Sequence, residues 1–185
     1  MPRPPGGRPP PANQPAANQL PAKLPPADLP IIAVRKVEDP DGIADVRELF
    51  VEYLHFVEDF LGESLDFQDT EREFAEFPAT YDALFLATRN GHPVGAAGLK
   101  AFDATRGELK RLYVREAGRG LGLGQLLITA TLAEARLRGY RTLLLDTDPG
   151  LHHANRIYER LGFRDVDCYY DNPRQDRSRY MALEL

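Results

Sequence analysis

The run Arg119-Gly120-Leu121-Gly122-Leu123-Gly124 places a glycine at every second position, after a β-rich stretch and at the start of an amphipathic one. Glycine lets the main chain approach a ligand closely and turns successive N–H groups outward. A helix start adds about half a positive charge. Together these features make a cradle for a diphosphate, with Arg115 and Arg119 close by in sequence. The same residues also read as a plain, tight strand-to-helix turn. A triphosphate-binding loop needs Lys and then Ser or Thr after its last glycine, where this chain has Gln125-Leu126. A dinucleotide fold puts its loop after the first strand of a βαβ unit. Here the loop follows the fourth predicted strand, at the end of a meander of hairpins.

Other reactive side chains are few. His55, His92, His152 and His153 lack the spacing of metal ligands. The single cysteine, Cys168, excludes a disulfide framework and a cysteine-based zinc cluster. It reads as a packed strand residue rather than a nucleophile.

The elements that must carry the loop follow from periodicity. Ile31-Ile32-Ala33-Val34-Arg35-Lys36-Val37 reads as a first strand. Asp39-Pro40-Asp41-Gly42 offers a helix cap, and apolar residues from Ile43 to Leu61 recur at three and four, closed by Gly62. Residues 67–77 read as a second, very acidic helix and 81–88 as a strand. Asn90-Gly91 is a hairpin signal, because a type I′ turn needs positive φ at both positions. Strands are predicted over 94–102 and 108–114, then a helix whose stripe is Leu123, Leu126, Leu127, Ala130, Ala133 and Leu137. A continuous apolar strand over 142–146, a helix through Ala154, Ile157, Tyr158 and Leu161, and strands over 163–170 and 179–185 complete the chain. The order βααβββαβαββ implies an α/β (α+β) mixed sheet with helices on both faces.

The 185 residues suit one domain, with 43% apolar and 28% charged residues. Eleven of the sixteen prolines fall in residues 1–30, which read as a disordered tail, with the domain spanning 31–185. No apolar run approaches the roughly 20 residues of a membrane span, and no secretory-type apolar core opens the sequence, so a cytoplasmic protein is expected. A net charge of −5 argues against non-specific nucleic-acid binding. The charge is uneven: residues 38–82 hold fifteen acids against Arg47 and Arg72, whereas 83–185 are net basic. The acidic run reads as solvated helix faces, or as a surface that meets a cation.

Two motifs together resemble one family. The loop at 119–124 is similar to the Q/R-x-x-G-x-G/A motif of the Gcn5-related N-acetyltransferases (GNAT), and Leu109-Lys110-Arg111-Leu112-Tyr113-Val114 resembles the strand before it. Ala154-Asn155-Arg156-Ile157-Tyr158-Glu159-Arg160-Leu161-Gly162-Phe163 resembles the family's A-x-x-x-Y-x-x-x-G-F signature. Tyr169-Tyr170-Asp171-Asn172-Pro173 resembles an end segment of a bacterial subgroup. The likeness spans residues 31–185. It implies a GNAT fold, a mostly antiparallel mixed sheet of about seven strands. It also implies acetyl-CoA as co-substrate, an acetyl transfer to a primary amine of a small molecule, and no metal.

Carried onto this chain, the resemblance implies that the amides of Arg119, Gly120, Leu121, Gly122, Leu123, Gly124 and Gln125 cradle the diphosphate. The strand Leu112-Tyr113-Val114 lies along the pantetheine arm, with the Val114 N–H as donor to the acetyl oxygen. Tyr158 takes the place of the general acid, against the reading of a core tyrosine bonded to backbone. Glu108, eleven residues before Arg119, takes that of a general base, against the reading of a strand-end residue paired with Lys110 or Arg106. Asn155 bonds to the pantetheine or a water. Around the acceptor, Glu52, Glu58, Asp59, Glu71 and Glu73 attract an amine, Tyr169 and Tyr170 wall the pocket, and Arg174, Arg177 and Arg179 grip a carboxylate. Homodimers are common in the family. The rival functions are a protein N-terminal or lysine acetyltransferase and a non-catalytic acyl-CoA-binding module.

Overall fold

The computed structural model describes residues 29–62, 73–172 and 175–185. Residues 1–28 of the predicted tail fall outside them, as do residues 67–72 of the predicted second helix; of its described residues 73–77, only 73–75 are helical.

Seven strands form one sheet in the order β1-β2-β3-β4-β5-β7-β6. They are β1 (Ile32–Val37), β2 (Ala83–Arg89), β3 (His92–Ala101), β4 (Arg106–Val114), β5 (Thr142–Thr147), β6 (Arg164–Asp165) and β7 (Arg179–Glu184). The helices are α1 (Pro40–Leu61), α2 (Leu123–Leu137) and α3 (His152–Leu161). All neighbouring strands are antiparallel except β4 and β5.

Local chemistry sets the ends of α1. The Asp39 carboxylate accepts the Gly42 N–H at 2.8 Å, Pro40 occupies the first turn, and Gly62 closes the helix at φ 66°. Asn90 and Gly91 take φ of 52° and 81°, as the β2–β3 hairpin requires. Helix α1 buries Val46, Leu49 and Phe50 against Leu84, Leu86 and Ala96 on one face of the sheet. Helices α2 and α3 cover the other face with Leu123, Leu127, Ile128 and Ile157, over Leu99, Leu109, Leu143 and Leu145. The 2-residue period of β3 and β4 therefore sends Leu99 and Leu109 into the α2–α3 core. It sends Lys100, Glu108 and Lys110 to the α1 side.

Two irregularities shape the centre. The β3–β4 register shifts between Ala96 and Gly98, where Arg111 stands at φ 55° and makes a bulge. The parallel β4–β5 pairing stops after Arg106↔Thr142, Gly107↔Leu143 and Glu108↔Leu144. Beyond Glu108 the two strands part, and their facing edges are left open.

The predicted strand over 163–170 shortens to Arg164–Asp165. The Val166 N–H still donates to the Tyr180 carbonyl, but the chain then leaves the sheet. What redirects it is aromatic: Tyr169 packs edge-on against Phe102 (5.2 Å between centroids) and Tyr180 (5.5 Å), and its hydroxyl reaches Glu108. Cys168 is consequently exposed rather than packed as expected, with its Sγ donating to the Tyr170 carbonyl.

Candidate active site

The glycine loop opens α2 as expected. Gly120 and Gly122 both have φ of 76°, and a Cβ on either would meet nothing within 4 Å. Gly122 is the N-cap and has no side chain to satisfy the first turn, so the amides of Leu123, Gly124 and Gln125 have no intrahelical acceptor. Leu123 is buried and anchors the turn in the core. Open space, left-handed glycines and unclaimed amides fit a diphosphate.

The strand leading to the loop carries the matching edge. The Arg115 N–H donates to the Val94 carbonyl at 2.8 Å. Alternation along β4 turns the Val114 N–H the opposite way, toward β5, where pairing has already ended. Leu112 and Val114 pack on the α2–α3 core, whereas Tyr113 packs toward α1. Of the two arginines expected beside the loop, Arg115 departs from expectation and Arg119 does not. Arg115 is claimed by Glu52 (2.6 and 2.9 Å), Glu48 (2.5 Å) and the Pro93 carbonyl, because α1 lays those carboxylates over it. Arg119 stays beside the loop, with Nε 3.3 Å from the Val114 carbonyl.

Tyr158 projects from α3 into the core and is 6% exposed. Its hydroxyl makes no hydrogen bond among the described residues, so backbone does not satisfy it. Burial pushes its pKa up, and Tyr53 and Asp146 add to the rise. Asn155 is buried too. Its Nδ2 donates to the Asp148 and Pro149 carbonyls and fixes the β5–α3 turn, while Oδ1 has no partner among the described residues.

Glu108 is 7% exposed. One carboxylate oxygen accepts from the Tyr169 hydroxyl at 2.8 Å and from Lys110 Nζ at 3.4 Å. Lys110 also donates to Asp146 at 3.2 Å, and the Tyr170 hydroxyl donates to the second Asp146 oxygen at 3.2 Å. Burial works against the Lys110 charge, but Asp146 and Glu108 outweigh it and raise its pKa. Lys110 thus bridges two carboxylates on β4 and β5. Asp146, at the polar end of the apolar run Leu143-Leu144-Leu145, was not picked out by sequence. That change of polarity on a covered strand was the available signal.

A cavity of about 380 Å³ lies beside this network. Its lining comes from Glu73, Glu76 and Thr80, from Lys100 and Phe102, and from Glu108, Lys110 and Tyr170. Of the acids expected to attract an amine, only Glu73 lines it. Glu52 is paired with Arg115, and Glu71 lies outside the described residues. Arg179 does not reach for a ligand: Asp165 (2.6 and 3.0 Å) and Glu159 (2.8 Å) hold it. Arg174 is outside the described residues.

The fold and the site define an acetyltransferase. Residues 43–163 match the model of the acetyltransferase (GNAT) family, and the chain belongs to that family. Acetyl-CoA is the co-substrate in this family. An uncharacterized N-acetyltransferase of Schizosaccharomyces pombe is 35% identical over 161 residues, covering 83% of this chain and 95% of that protein. A mycothiol acetyltransferase of Thermomonospora curvata is 37% identical over 92 residues, 49% of this chain and 31% of that one. Relatives are therefore not confined to bacteria. Among solved structures, an acetyltransferase of Streptococcus agalactiae superposes with a TM-score of 0.66 at 21% identity, covering 83% and 98% of the two chains. A Salmonella typhimurium protein crystallised with acetyl-CoA gives 0.59 at 21%, covering 83% and 93%. No described helix is long and apolar enough to cross a membrane, and no described cluster of His, Cys, Asp and Glu could hold a metal ion.

Proposed function

We propose that this chain acetylates a primary amine of a small, soluble molecule in the cytoplasm, by direct attack within a ternary complex. The carrying observation is the cavity of about 380 Å³ beside Glu108, Lys110 and Tyr170, a volume suited to one small ligand. When bound, acetyl-CoA supplies an activated acyl group: the acceptor nitrogen forms the amide C–N bond as the thioester C–S bond breaks, giving the CoA thiol.

The chain's own residues divide the remaining work. The amides from Arg119 to Gln125 bind the diphosphate, and the main chain of Leu112 to Val114 aligns the pantetheine arm. The Val114 N–H stabilises the charge that grows on the acetyl oxygen. Asn155 Oδ1 accepts a hydrogen bond from the pantetheine. Glu108 takes the proton an ammonium must lose before its nitrogen can attack. Tyr158 hands its hydroxyl proton to the departing sulfur. Among the described residues no well-placed Cys or Ser calls for an acyl-enzyme: Cys168 lies on the exposed side of the 166–170 segment.

The test is release of free CoA thiol across a panel of amines, amino acids and peptides. Turnover of small amines supports the reading. Coenzyme A binding with no thiol release from any acceptor overturns it in favour of a non-catalytic module. Turnover confined to peptides points to a protein acetyltransferase.

A further inference from the structure

The walls of the cavity are heavily charged, yet most of those charges are already matched. Glu73 is held by Arg111 through two hydrogen bonds of 3.0 and 2.7 Å. Glu108 is held by Lys110 and Tyr169, and Asp146 by Lys110 and Tyr170. Lys100 is different. It stands directly opposite Glu108 across the β3–β4 ladder, the position from which a cross-strand ion pair is expected. Glu108 turns instead to Lys110 and Tyr169, and Lys100 makes no ion pair or hydrogen bond among the described residues. Lys100 acts on Glu73 through space, and Glu76 stands on the same cavity, but no carboxylate among the described residues bonds Lys100 directly. A cation on a cavity wall without a direct partner is suited to an anion that arrives with the ligand. Thr80 stands on the same cavity. Its hydroxyl is buried and unpartnered among the described residues, so turning it toward a ligand breaks no existing bond.

We infer that the acceptor is a free amino acid, its carboxylate held by Lys100 and its amine presented to Glu108; the inference rests on the acetyltransfer reading above. Opposed residues of an antiparallel pair have Cα atoms about 5 Å apart. Lys100 and Glu108 therefore rise from neighbouring points on one face of the sheet. A compact ligand that carries both an amine and a carboxylate, as a free amino acid does, can meet both. A polyamine lacks the anion. The role falls to Lys100 rather than to Arg179, which Asp165 and Glu159 already occupy.

The experiment compares thiol release for the twenty amino acids with that for their carboxamides and their decarboxylated amines. The native protein should favour at least one amino acid over both carboxylate-free counterparts by roughly ten- to hundredfold in kcat/KM, the scale of a charge-assisted hydrogen bond. In Lys100→Gln that ratio should collapse toward one, and in Lys100→Arg most of it should return. Both substrates are read on the same protein, so partial misfolding cancels from the ratio. A ratio near one in the native protein, or one that survives Lys100→Gln, overturns the inference. If carboxylate-free amines react well and amino acids do not, the inference falls while amine acetylation stands. If nothing reacts, both fall.

Discussion

Tyr158 couples a hydroxyl without a hydrogen-bond partner among the described residues to a pKa raised by burial. A phenol held above its ordinary value of about 10 stays protonated throughout the neutral range, as an acid that protonates a thiolate must. Replacing Tyr158 with Phe removes only the hydroxyl and keeps the edge-on packing with Phe163, 5.8 Å between centroids. We expect kcat to fall about a hundredfold or more, with acetyl-CoA affinity unchanged by calorimetry. An unaltered kcat would remove Tyr158 from the mechanism. Tyr158 and the glycines stood out as candidates in sequence because each sits in a motif of fixed spacing. Lys100, Asp146 and Thr80 did not. They become candidates through which partners they lack or share, and pairing across strands is invisible until the register is known.

At the level of elements, the loop and the bulge do most to place the site. Gly120 and Gly122 adopt a left-handed backbone in open space, so a methyl group there meets no neighbour and only the backbone objects. Gly122→Ala should cost roughly 1–2 kcal/mol of strain. The chain can relieve that strain by turning the loop amides away from the diphosphate. We predict weaker coenzyme A binding by calorimetry with a small change in melting temperature; a large melting loss with affinity intact would mean that the loop is merely structural. The strand–loop–helix order could be read from periodicity and glycine placement. The Arg111 bulge could not, because a residue other than glycine at positive φ leaves no signature in composition. The shortened β6 had a similar cause: its β-rich sequence is overridden by the aromatic contacts of Tyr169.

Across the whole molecule, the uneven charge of the sequence becomes an internal pairing. Acids of the early segment are counter-ions for bases of the later one: Glu48 and Glu52 for Arg115, Glu73 for Arg111, and Asp82 for Arg138. The expectation of solvated acidic faces gives way at these positions to bridges between distant parts of the chain. The pairs have consequences for pH. The Arg115 guanidinium holds Glu52 below the ordinary carboxylate range. Burial alone would push Glu73 up, but its bonds to Arg111 and Tyr81 bring it down overall. Asp39, bound by Arg35 and the Gly42 N–H, lies at about 2. A depressed carboxyl contributes stability above its unfolded value near 4 and loses it as pH falls through the folded value. Melting temperature should thus hold near neutrality and drop between about pH 4 and pH 2.

Arg111→Met inverts the sign at one site. Arg111 and Glu73 have side chains 9% and 13% exposed, so removing the cation strands a buried carboxylate at a cost of roughly 3–5 kcal/mol at neutral pH. Burial then dominates, and the Glu73 pKa rises above its unfolded value. Acidification should restore part of the lost stability as Glu73 takes up a proton, where the native chain gains nothing. Adding Glu73→Gln to Arg111→Met should abolish that recovery and raise the neutral-pH melting temperature. A single variant whose stability only declines with acid would show that Glu73 finds another counter-ion, and that the pair does not lock residue 73 to the bulge beside the cavity.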